Sequence, residues 1–465
     1  MLFSAIPFLY YFLPITLIAY FAVPKRCKNA VLLIASLVFY AWGEPRYVFL
    51  MAGTITIGYG LGIAIENHRG SAAGRAFTAL SVVVSLGFLA YFKYADFFLQ
   101  SFHSATGLPV PVLNIALPIG ISFYTFQLLS YTIDVSRGER AQRNPLHLAT
   151  YITMFPQLIA GPIVRYGDIA EQLTSRTHTL EKTAYGIRRF IIGLGKKVLI
   201  ANTLGELASA FLLDPAPSVL YTWLYAIAFS LQIYYDFSGY SDMAIGLGLL
   251  FGFRFAENFD HPFISASITE FWRRWHMTLG TWFRDYLYIP LGGNRVSKPR
   301  WFLNILVVWM ATGLWHGAAW NFVLWGLYFA VLLVAEKLFL LQILRKSKVI
   351  AHVYTLFFVL LSFVLFNANS LWQAAEQIKA MLGFGSLPLV TEQTLFQLRN
   401  YAVLLIAACV GATPLVKRLC TRFAASKTGS KVLPFIEPLA LTALFLTVTA
   451  SLVNGSFNPF LYFRF

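Results

Sequence analysis

Residues 1–24 read MLFSAIPFLYYFLPITLIAYFAVP. No basic residue precedes the apolar run and no small-x-small cleavage pattern follows it, so it does not read as a cleaved signal peptide. It is long enough to cross a bilayer, for which about 20 apolar residues suffice. The stretch therefore reads as a first, retained transmembrane helix. Comparable apolar runs follow at 29–42, 48–65, 77–99, 113–134, 189–212, 219–250, 302–319, 320–341, 350–366, 400–416 and 435–454. The run at 29–42 is short, that at 219–250 is long, and the break inside GLWHGAAWN is weakly marked. About 11–12 crossings are expected.

The whole composition agrees with that opening stretch. Of 465 residues, 58% are apolar, 17% aromatic and only 12% charged, and the mean hydropathy is +0.65. A soluble domain carries about 25% charged residues. A soluble enzyme, a disordered chain and a secreted disulfide scaffold are excluded. The fold class is an all-α polytopic integral membrane protein. Cys27, Cys409 and Cys420 are too few and too scattered for a disulfide framework or a metal site.

The charge surplus is +16. It does not point to nucleic acid here, because Lys and Arg collect in cytoplasmic loops of membrane proteins. With the N-terminus outside, alternating loops place 31 of the 36 basic residues on the inner side. Both termini are then expected outside, in a bacterial cytoplasmic membrane. This count treats Lys196 and Lys197 as loop residues.

Two inner regions are too long for simple turns. Residues 135–188 contain LATYITMFPQLIAGPIVRY, where Pro156, Gly161 and Pro162 argue against one straight helix. Irregular backbone at membrane depth requires surrounding protein or a water-filled cavity, so a re-entrant or interfacial segment is expected. Residues 254–300 mix Trp, Arg, Asp and His with apolar residues, as interfacial helices do. The longest outer loop, near 367–399, spans about 30 residues.

Ionisable residues in apolar segments are costly and mark candidate functional sites. YYDFSGYSDMAIGLG (234–248) carries Asp236, Ser238, Ser241 and Asp242. These read either as helix-to-helix hydrogen bonding or as direct chemistry. FWRRWHMTLGTWFRDYLYIPLGGNR (271–295) offers His276, Arg273, Arg274 and Arg284. The arginines read either as interfacial anchors beside tryptophan or as a binding site for the phosphates of an anionic cofactor. TGLWHGAAWNFVLWGLYF (312–329) places His316 in a membrane segment, with small residues at 311–313 and 317–319 leaving room for a ligand against the backbone. Imidazole titrates near neutrality, which suits general-base work. No HExxH, zinc spacing, GxSxG elbow or phosphate-binding loop occurs.

These segments, with FPQLIAGPIVRY (155–166) and the terminal NPFLYFRF (458–465), resemble the membrane-bound O-acyltransferase superfamily. The resemblance is to the bacterial branch that contains the alginate O-acetyltransferase membrane subunit. It covers nearly the whole chain, with His276 and His316 set 40 positions apart. It implies one membrane domain: N-terminal helices 1–134, a catalytic core 135–345 and C-terminal helices 346–465, around a central tunnel. It implies His316 as the catalytic histidine and His276 as a second site residue, which could hold His316 in one tautomer, bind substrate or polarise the thioester carbonyl. Arg273, Arg274 and Arg284, with Trp275 and Trp315, are the expected donor-binding residues. No bound cofactor or metal is expected. Acetyl-CoA is the expected donor substrate, a polysaccharide such as alginate, cellulose or peptidoglycan the acceptor, and an SGNH-type periplasmic acetyltransferase the partner within a lipid membrane. The competing readings are a transporter or flippase for a lipid-linked sugar, and a non-catalytic membrane subunit of an exopolysaccharide machine.

Overall fold

A computed structural model describes residues 1–213, 218–455 and 460–461. Among them there is helix and irregular chain but no strand. Of the terminal motif 458–465, only Phe460 and Leu461 lie within the described residues. The chain is a multi-pass membrane protein. Among the described residues, six helices are long and apolar enough to cross a membrane: Tyr47–Asn67, Ala72–Thr106, Trp320–Leu344, Lys348–Asn367, Glu392–Gly411 and Lys427–Asn454.

The six are fewer than the apolar segments counted in the sequence, for identifiable reasons. Phe8–Ala22 is helical but short. The segment at 29–42 forms a helix of 14 residues, Lys28–Ala41. The run beginning at 113 becomes helical only at Ile121 and continues to Arg137. Val219–Leu250 has ample length, 32 residues, but Gln232, Asp236 and Asp242 dilute its hydropathy. The outer loop expected near 367–399 holds a further helix, Leu371–Met381.

Two compact units divide the chain. One comprises Met1–Phe190 with Tyr240–Ala256, the other Ile191–Gly239 with Glu257–Phe465. In the first unit, glycine sets how closely helices approach. A Cβ on Gly58 would fall 2.2 Å from Leu128, and one on Gly62 would fall 2.3 Å from Tyr131. Small residues four apart let membrane helices approach closely, here by making room for the facing Leu128 and Tyr131 side chains. Beside them, Ser81 donates to Thr132 at 2.8 Å.

The Pro- and Gly-punctuated segment of this unit is broken as expected. Helix Pro145–Thr153 stops, one turn forms at Phe155–Leu158, and irregular chain leads to the helix Tyr166–Thr174. The segment is buried, and several of its polar groups are met by protein. Gln157 Nε2 donates to Tyr151 O at 2.6 Å, Tyr151 Oη donates to Val164 O at 2.9 Å, and Phe155 N donates to Ser36 Oγ at 3.1 Å. That is the condition under which non-helical backbone survives at membrane depth. Asp242 also finds its partner here, the Arg189 guanidinium at 2.9 Å.

The second unit holds the aromatic core built from Val219–Gly239 of the long helix and from residues after 257. Two short helices, Ile268–Arg274 and Met277–Phe283, lie in the region read as interfacial. They are followed by Lys298–His316 and Trp320–Leu344.

Candidate active site

The helix Lys298–His316 ends at the histidine itself, because Gly317 turns to extended backbone before the next helix begins at Trp320. These two helices form a hairpin tight enough to require glycine. A Cβ on Gly313 would fall 2.2 Å from Phe322 O, and one on Gly326 would fall 2.1 Å from Trp309 O. A Cβ on Gly317 would strike the Phe322 ring at 2.1 Å. This corrects one sequence reading: Gly313 and Gly317 do not hold space for a ligand, because Phe322 and the facing backbone already occupy it.

His316 is 6% exposed. Its ring meets Trp325 and Phe366 edge-to-face at centroid distances of 5.1 and 5.4 Å, with Trp315 at 5.1 Å. Phe366 is held in place by Asn321, whose Nδ2 donates to Phe366 O at 3.3 Å and Ala368 O at 3.1 Å.

His276 sits between the two short helices with φ 45° and ψ 51°, a left-handed conformation that is uncommon for a residue with a Cβ. Such strain persists only when the surroundings enforce it. Asn258 does so: its carbonyl O accepts Met277 N at 3.0 Å, and its side-chain Oδ1 accepts Thr278 Oγ1 at 2.9 Å and Thr278 N at 3.3 Å. Oδ1 also lies 3.1 Å from His276 Nδ1. Upstream, the buried Glu336 carboxylate accepts Ile268 N at 2.6 Å and Thr269 N at 2.9 Å, anchoring the helix that leads into His276. An anionic group at a helix N-terminus satisfies otherwise unpaired N–H groups.

The two histidines converge. Their ring centroids are 6.3 Å apart, with Trp315 5.8 Å from the His276 ring and Phe237 4.7 Å from it. Beside His316 lies a cavity of about 30 Å³, lined by Asp236, Phe237, Trp275, Trp325 and Phe460 among others. That is room for one or two waters. Asp236 is paired with Lys197 Nζ at 2.5 Å, and its other oxygen accepts Leu461 N at 2.8 Å. Lys197 is thus a buried member of this cluster and not the loop residue assigned from the charge count. The signal available was its position within the apolar run 189–212.

The arginines separate. Arg273 and Arg284 line a recess of about 540 Å³ with Trp272, Trp309, Thr312 and Lys337, a size typical of ligand sites. Thr312 stands one helical turn before His316 on the same helix. Arg284 reaches Asp285 at 2.7 Å while remaining exposed. Arg274 instead bonds Glu270 and Asp260, each at 2.9 Å. Trp275 and Trp315 lie with the histidines and are not among the residues lining this recess.

A buried imidazole pair, an enclosing aromatic cluster and a basic-rimmed recess thus lie on one helical membrane scaffold. The chain belongs to the membrane-bound O-acyltransferase family, whose model matches residues 82–374. It is an O-acyltransferase, which sets aside transport of a lipid-linked sugar and a purely structural role as readings of its activity. It is 40% identical over 500 residues to a protein named "Probable alginate O-acetylase AlgI" of Azotobacter vinelandii, covering 100% of both chains. It is 34% identical over 429 residues to a peptidoglycan O-acetyltransferase of Helicobacter pylori, covering 84% of this chain and 81% of that one. A teichoic acid D-alanyltransferase of Bacillus subtilis is 30% identical over 285 residues, 56% of this chain and 71% of that protein.

Proposed function

We propose that this chain takes acetyl from acetyl-CoA at the cytoplasmic face of a bacterial inner membrane and delivers it for O-acetylation of a polysaccharide outside. The observation that carries the reading is the buried His276–His316 pair, with His316 ending a helix that also lines an arginine-rimmed recess. The names of the relatives, an alginate O-acetylase and a peptidoglycan O-acetyltransferase, support acetyl as the group and an envelope polymer as its destination. An SGNH-type partner outside the membrane is the proposed carrier between this site and the polymer.

In this account the donor's phosphates stay with Arg273 and Arg284 while the acetyl thioester approaches His316. The acceptor hydroxyl oxygen attacks the acetyl carbonyl carbon and gives its proton to His316 as the new C–O bond forms. The C–S bond then breaks, and the imidazolium returns the proton to the departing thiolate, leaving free CoA thiol.

The test reads free CoA thiol from proteoliposomes given acetyl-CoA outside and a hydroxyl acceptor within. Wild-type protein should release thiol in step with acceptor acetylation, and His316→Ala should release it about 10²–10⁴-fold more slowly. Equal release by both proteins would overturn the assignment of the base.

A further inference from the structure

The Asn258–His276 contact fixes more than a turn. Asn258 Oδ1 accepts the backbone N–H of Thr278, a group that can only donate. That contact identifies the side-chain atom as the oxygen, whichever way the amide had been set. The partner of Oδ1 on His276 is Nδ1, at 3.1 Å. An oxygen accepting a bond from a ring nitrogen requires the proton to be on that nitrogen. His276 is 1% exposed among the Phe237, Trp315 and His316 rings, where a charged imidazolium is costly. Its neutral form therefore carries its one proton on Nδ1. The other nitrogen, Nε2, is buried and has no hydrogen-bond partner among the described residues.

We propose that Asn258 is a positioning residue that locks His276 in the Nδ1–H tautomer, so that the buried Nε2 is left as a hydrogen-bond acceptor. The turnover part of this inference rests on the acetyl-transfer reading; the tautomer does not. The lock decides among three roles open to His276. A bare Nε2 has no proton with which to polarise a thioester carbonyl. It also makes no direct bond to His316: ring nitrogens lie about 1.1 Å from the ring centre, so rings whose centroids are 6.3 Å apart keep their nitrogens at least about 4 Å apart. His276 Nε2 then accepts a bond from a second O–H group of the entering acceptor, whose reacting hydroxyl keeps its one proton for His316.

The test uses full-length protein with 15N-labelled histidine in lipid nanodiscs, the His276 signals being assigned by their loss in His276→Gln. The wild type should show a protonated Nδ1 and a bare Nε2. Asn258→Leu removes the acceptor and should lose that fixed pattern, with kcat for acetyl transfer falling about 10–100-fold, the usual effect of losing a partner that sets imidazole orientation, while KM for the donor changes less than about twofold. Should Asn258→Leu fail to fold, Asn258→Asp retains an acceptor oxygen and should keep Nδ1 protonated. An Nε2-protonated His276 in the wild type would overturn the proposal. So would an Asn258→Leu protein that keeps both the pattern and the rate. A correct tautomer with no acetyl transfer would leave this proposal standing and count against the functional reading instead.

Discussion

Lys197 and Asp236 form a buried ion pair, Nζ to Oδ1 at 2.5 Å, with side chains only 4% and 2% exposed. Asp236 shares its cavity with His316, and its second oxygen holds the backbone N–H of Leu461. Removing one partner strands the other charge away from water, at a cost of about 3–5 kcal/mol. Lys197→Met and Asp236→Asn should therefore each lower the unfolding midpoint in detergent. Lys197→Met combined with Asp236→Asn should cost clearly less than the two single changes added together. Additive losses would mean that the pair is not coupled.

The glycine hairpin gives a second expectation. Gly326→Ala puts a methyl group 2.1 Å from a backbone oxygen, Trp309 O, which cannot swing aside as a side chain can. Overpacking of this kind costs about 1–3 kcal/mol or more. The variant should be less thermostable, and its acyl transfer should fall with it because the hairpin ends at His316. Gly53→Ala, at a position with nothing within 4 Å, is the matched control and should behave as wild type.

The division among the arginines gives a third. Arg273→Ala and Arg284→Ala should each raise KM for the donor, by about tenfold if each removes one charge-assisted contact worth about 1.5 kcal/mol. Arg274→Ala should leave that KM within about twofold. Its loss should instead appear as a stability decrease of about 1 kcal/mol, because its bonds to Glu270 and Asp260 are partly exposed. A donor KM unchanged by all three substitutions would return the recess arginines to interfacial anchoring.

The membrane class was legible, and His316 was legible as a candidate because it breaks a strong local pattern. Apolar runs announce a bilayer, and a histidine in such a run stands out against it. The broken stretch around Pro156 and Gly161 was legible for the same reason, since proline and glycine have fixed backbone consequences. Lys197 was not legible, because adjacent Lys196 made the pair look like a loop signal, and only the fold reveals Asp236 opposite it. Asn258 carried no signal at all: its role depends on a turn that brings it to His276, 18 positions later. Gly313 and Gly317 were read as space because a sequence does not show that Phe322 folds back onto them. Helix length misled as well, since hydropathy alone does not register that the chain before Ile121 is irregular.

The most direct measurement follows radiolabelled acetyl from acetyl-CoA outside proteoliposomes to a hydroxyl acceptor sealed within, comparing wild type with His316→Ala in inside-out orientation. The account predicts label on the acceptor with the wild type and background label with His316→Ala, both proteins being equally folded and inserted. Equal label on the acceptor with both would contradict it.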